Sequence, residues 1–124
     1  MSPDPAIPRA SIETFHSRLE SALADTSSVY VNAGTDPSSY FAALADDIRR
    51  HKCEPIEVSA VVMPPGFPDI PVGSVISGWC LAQGNGSWLV YRPEVDTFYC
   101  FWGDRSDALG AHGVFGSPLY CWSA

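Results

Sequence analysis

The sequence predicts an α+β domain: two N-terminal helices packed on one face of an antiparallel sheet formed by a C-terminal meander. Apolar residues recur at spacings of three and four early in the chain, at Ile12, Phe15, Leu19 and Leu23 and again at Phe41, Leu44 and Ile48. From residue 56 the pattern changes to short β-branched and aromatic runs separated by turn residues. The last 46 residues, from Trp79 to Ala124, hold ten of the fifteen aromatic side chains, all four tryptophans and three of the four cysteines. Helices first and strands afterwards is the order of an α+β fold.

Each element has its own signals. Residues 1–10 are rich in proline and read as a flexible leader, leaving 11–124 as a single domain. Ser11 is placed to cap the first helix, with Glu13 in its first turn and an end near Asp25. The second helix is punctuated by Asp36 as cap and Pro37 at the first helical position. Arg49, Arg50, His51 and Lys52 follow at its C-terminus, where the helix dipole favours cations. A first strand is expected over 56–63, where one face turns apolar at Val61 and Met63 and is expected to be buried there. Four of the eight residues over 64–71 are prolines, which makes this stretch a surface loop.

Three strands are then expected over 75–83, 87–92 and 97–102. Gly84-Asn85-Gly86 supplies the positive-φ residues of a tight hairpin. A two-residue turn sets Leu81 opposite Val90; a three-residue turn sets Leu81 opposite Leu89 and Trp79 opposite Tyr91, which matches apolar with apolar better. The glycine-rich stretch 103–113 is expected as a polar loop with one helical turn over 106–109, and 119–122 as a last short strand begun by Pro118.

At 124 residues the chain can bury one core without disulfides or metal. Its net charge of −7 is spread along it, nine acids against five bases over 1–57 and five against two over 58–124. Such a field repels phosphate backbones and anionic lipid, so neither a nucleic-acid nor a membrane partner is expected; it attracts a basic protein. The first eleven residues contain three prolines and no apolar run, so no signal peptide or membrane span is predicted, and the chain is expected in the cytoplasm. The cysteines, at 53, 80, 100 and 121, have no regular framework and suit small core residues that remain reduced.

No residue set suggests catalysis, a metal or a cofactor. Cys100 with His112 is the one candidate nucleophile pair, but Cys100 lies between Tyr99 and Phe101 in a strand, where burial is the simpler account. The histidines and cysteines lack zinc spacings, and Asp104 with Asp107 lacks the other oxygens of a calcium loop. Binding is therefore expected at the loops that end the sheet. Asp69, Asp104 and Asp107 supply charge there, and Phe67 and Trp102 supply apolar anchors.

A short acidic chain that begins with helices and continues into an aromatic meander with W-L-V-Y and F-Y-C-F-W-G segments resembles bacterial toxin-immunity proteins of the SUKH superfamily. The similarity covers residues 11–122 in element order and composition and carries no site residue with it. It implies a non-enzymatic inhibitor that binds a cognate toxin and blocks its active site. Two other classes fit the same composition. One is a phage or host inhibitor of a basic nucleic-acid-handling protein; the other is a small ligand-binding or enzyme domain with a tryptophan-lined pocket.

Overall fold

The computed structural model describes residues 9–124, with side chains from Glu13 onward. Most of the leader expected over 1–10, and the side chain of Ile12, lie outside the described residues. Helix α1 (Arg9–Ala22) begins two residues before Ser11, which is therefore inside the helix and not its cap. Leu19, Ala22 and Leu23 form its buried stripe, with Phe15 half-buried. Helix α2 (Pro37–Arg50) starts where the sequence places it: the Asp36 carboxylate accepts the Ser39 amide at 3.0 Å and the Ser39 hydroxyl at 2.7 Å.

Five strands follow: β1 (Lys52–Val62), β2 (Val75–Gly84), β3 (Ser87–Arg92), β4 (Thr97–Trp102) and β5 (Leu109–Gly116). They form an antiparallel meander that closes on itself, because β5 also pairs in parallel with β1 through Ala60–Leu109, Val61–Gly110 and Val62–Ala111. The fold is α+β, and its sheet is a barrel. Closure pairs the end of β1 with the start of β5 and so takes up part of both edges.

The β2–β3 hairpin uses both expected registers in turn. Asn85 (φ 53°) and Gly86 (φ 80°) make a two-residue turn. The pairs Gly84–Ser87, Gln83–Trp88 and Ala82–Leu89 follow from it. A bulge at Leu81 then shifts the ladder by one, giving Cys80–Val90 and Trp79–Tyr91. Leu81 thus faces neither Val90 nor Leu89, and its side chain is fully buried.

Two other expectations are corrected. The stretch 103–113 is a loop only as far as Ala108, whose amide closes a turn on the Arg105 carbonyl; strand β5 begins at Leu109 and seals the barrel. Residues 119–122 are helical, not extended, and belong to α3 (Pro118–Ser123). Ser117 caps α3 by accepting the Tyr120 amide at 3.2 Å, with Pro118 at the first helical position. The Trp122 indole N–H donates to Asp47 at 2.7 Å and ties α3 to α2.

The aromatic strands pack on both faces. Inside the barrel lie Val58, Ala60, Val62, Cys80, Trp88, Val90, Tyr99, Phe101, Leu109 and Ala111. Outside, Leu81, Ala82, Leu89, Tyr91, Phe98 and Cys100 meet the apolar stripes of the three helices. The helices therefore cover one side of the barrel only. Phe101→Ala, which empties a fully buried site inside the barrel, is expected to cost about 3–5 kcal/mol in urea or thermal unfolding. Val75→Ala, at an exposed site, is expected to stay within about 1 kcal/mol.

Candidate protein-binding surface

The side of the barrel away from the helices carries an apolar strip. Along the outer face of β1, Glu57, Ser59 and Val61 follow one another, and their partners on β2 are Trp79, Ser77 and Val75. Ser59 and Ser77 join their hydroxyls at 2.6 Å. Beyond them Val61 and Val75 stand open, at 42% and 65% exposure. Met63 and Val72, at 40% and 53%, extend the strip where the Val62 carbonyl accepts the Gly73 amide. Gly110, paired with Val61, adds no side chain, and a Cβ there would meet Met63 and His112. The strip stays flat as a result. Its exposure corrects the expectation that β1 becomes buried on both faces toward Met63, because no helix reaches this side.

The residues expected to bind are split between the two ends of the barrel. Trp102, Asp104 and Asp107 adjoin the β2–β3 turn, where the Gly103 amide donates to the Gly86 carbonyl and the Trp88 indole donates to the Gly103 carbonyl. Asp69 and Phe67 lie on the loop that leaves β1 at the other end. Phe67 is not an exposed anchor. It is buried edge-on against Tyr99 and Phe115, at ring separations of 5.4 and 5.7 Å. The loop sits this close because Gly113 (φ 100°) has no Cβ; one would lie 2.5 Å from the Gly66 carbonyl oxygen. Trp102 is half-buried, with its ring 5.6 Å from His112. Asp107 is ion-paired with Arg105 at 2.7 Å, so its charge is compensated. Asp69 and Asp104 are exposed.

The cations are distributed unevenly relative to these acids. Every Lys and Arg with a described side chain has a carboxylate partner: Arg18 with Asp96, Arg49 with Glu20 and Asp46, Arg50 with Asp47, Lys52 with Glu20, Arg92 with Glu94, and Arg105 with Asp107. Exposed pairs of this kind add little stability. Their effect is on the field: among the described residues Glu13, Asp25, Asp36, Glu54, Glu57, Asp69 and Asp104 have no salt-bridge partner. Glu57 stands on the same outward row as Val61, and Asp69 on the loop that carries Val72. The strip is thus bounded by uncompensated negative charge.

Three of the thiols are held protonated at neutral pH, and the fourth, Cys53, is held below its ordinary value by its hydrogen bond with Cys80. Burial pushes Cys100 up to about 12 and raises Cys121 as well. Cys80 is raised by its hydrogen bond with Cys53 and by burial. All four are free, and Cys53 is the half-buried one. Cys100 faces the helices, while the His112 ring lies against Trp102.

At the far end of α1, Arg18 reaches the β3–β4 turn and donates through Nε to Asp96 at 2.8 Å, while the Tyr91 hydroxyl donates to the same carboxylate at 2.6 Å. A cavity of about 390 Å³ opens beside this cluster, between α1, the β3–β4 turn and the β5–α3 junction. No tryptophan lines it, so this cavity is not the tryptophan-lined pocket expected as an alternative. Comparison of the chain with models of protein families, with curated proteins and with solved structures finds no match.

Arg18 first, and Tyr91 second, hold the Asp96 carboxyl below its ordinary value. A depressed folded value means that the tie is in force above the unfolded value of about 3.9 and is lost as pH falls through the lower folded one. In an NMR titration Asp96 is expected to return toward the ordinary value in Arg18→Gln. An Asp96 titration unchanged in that variant would contradict the assignment.

Proposed function

We propose that this chain is a non-enzymatic, acidic binding protein that seats a basic protein on the outer face of β1, β2 and β5. We further propose that its biological role is that of an immunity protein which neutralises a cognate bacterial toxin in the cytoplasm. The observation that carries the binding role is the open strip of Val61, Met63, Val72 and Val75, flanked by Glu57 and Asp69 on a side where no cation offsets them. An interface needs an apolar centre that loses its water and a charged rim that steers encounter. The net charge of −7 gives the whole molecule the same sign as that rim. A toxin that acts on nucleic acid carries the complementary charge, which favours an immunity role. None of the helices described is long and apolar enough to cross a membrane.

The test begins with the tagged protein in its native cell and the partner that co-purifies with it. Val61→Ser with Val75→Ser is expected to weaken binding at least tenfold, mainly through faster dissociation. Glu57→Lys with Asp69→Lys is expected to slow association and flatten its salt dependence, with little change in melting temperature. Inhibition of the partner's own activity by the wild-type chain would establish the immunity role. Capture of no basic protein, or a captured partner indifferent to both pairs of substitutions, would overturn the proposal.

A further inference from the structure

The cavity beside α1 has a lining whose chemistry narrows what it accepts. Its volume, about 390 Å³, falls within the roughly 300–1,000 Å³ of small-molecule sites. Hydroxyls dominate the wall, from Ser21 and Ser27–Ser28 on one side to Thr97, Ser117 and Tyr120 on the other. The Ser27 hydroxyl and amide are bound to Asp25, Thr97 donates to the Val95 carbonyl, and Ser117 caps α3. The hydroxyls of Ser21, Ser28 and Tyr120 have no partner among the described residues. Phe98 and the β5–α3 junction at Phe115 and Gly116 complete the lining, the Phe115 ring itself packing on Phe67 and Tyr99. Two of the three non-glycine residues with positive φ, Ser28 at 66° and Asp96 at 49°, stand on the rim. Backbone held in this region concentrates at binding sites.

Charge excludes the simpler ligands. A phosphate would find the Arg18 guanidinium already taken by Asp96, with Asp25 beside it. A small organic cation would find the Asp96 carboxylate already taken by Arg18 and Tyr91, and Asp25 engaged by the Ser27 amide and hydroxyl. An apolar ligand would strip water from three unpaired hydroxyls and return no hydrogen bond. A neutral ring with several hydroxyls meets none of these objections. It would exchange hydrogen bonds with Ser21, Ser28 and Tyr120 and with the carboxylate oxygens of Asp25.

We infer that this cavity is a binding site for a neutral polyhydroxylated ligand of monosaccharide size. The site is separate from the valine strip, so it stands or falls independently of the partner protein.

Amide shifts of isotope-labelled protein titrated with D-glucose, D-galactose, D-mannose, D-ribose, myo-inositol and the methyl glycosides of the hexoses provide the test. Inorganic phosphate and n-butylammonium serve as comparators. Saturating shifts at Arg18, Ser21, Ser28, Phe115 and Gly116 are expected with at least one polyol. A response to the methyl glycoside as well as the free sugar identifies the end of a glycan; a response to the free sugar alone identifies a metabolite. Tyr120→Phe, which removes one of the three unpaired hydroxyls, is expected to weaken binding by up to about tenfold. Ser21→Leu is the second variant: it fills the cavity from the exposed face of α1 and is expected to abolish the shifts without unfolding the protein. Saturating shifts with phosphate or butylammonium alone, or none with any polyol, would overturn the inference.

Discussion

The rest of the structure depends on the short parallel pairing of β5 with β1. Only three pairs of residues make it, Ala60–Leu109, Val61–Gly110 and Val62–Ala111, extended by the Met63 amide donating to the Ala111 carbonyl at 2.8 Å. Without it the meander would be an open sheet with two free edges, and Val58, Ala60, Val62, Leu109 and Ala111 would have no enclosed interior to fill. With it, the concave face of the sheet becomes a core of its own. The convex faces of β2, β3 and β4 remain free to take the helices.

That division produces two cores back to back and one uncovered side. α1, α2 and α3 converge on the outer faces of β2, β3 and β4, held there by their apolar stripes and, between α3 and α2, by the Trp122–Asp47 hydrogen bond. β1 and β5 close the barrel on the opposite side, where Val61 and Val75 meet solvent. On the helix side Glu20, Asp46 and Asp47 take up Arg49, Arg50 and Lys52. A protein with an acidic, partly apolar face and a separate polar cavity at one end follows from where the helices stop.

The sequence made local features legible where a single residue type has one physical use. Asp36-Pro37 marked the start of α2, and Gly84-Asn85-Gly86 marked the hairpin, because capping and positive φ leave few alternatives. Ser117-Pro118 carried the same capping signal as Asp36-Pro37 but was overridden by the apolar run Leu119–Trp122, six residues being too few for a helical period to show. β5 was hidden by its glycines. Gly110, Gly113 and Gly116 give a composition that suggests a loop, yet Gly113 is required by the close approach of the Pro-rich loop and Gly110 faces Met63 and His112. The bulge at Leu81 had no local signal at all, since it reconciles the turn with the packing of Trp79 on Tyr91.

The candidate surfaces were less legible than the fold, for a related reason. Exposure depends on which side the helices cover, and that is a tertiary fact. Val61 and Met63 read as core residues, and Phe67, set among prolines in a loop, read as a surface residue; closure and helix placement reverse both. The cavity beside α1 draws Arg18, Ser28, Asp96 and Phe115 from four separate segments, which no local pattern joins.

Amide hydrogen exchange at Met63 tests the closed barrel most directly, since this amide bonds to Ala111 across the closing seam. Protection equal to that of the Val90 amide in β3, with exchange only through global unfolding, is the expected result. Exchange at Met63 at the rate of a free loop amide, while Val90 stays protected, would show an open sheet and contradict the account.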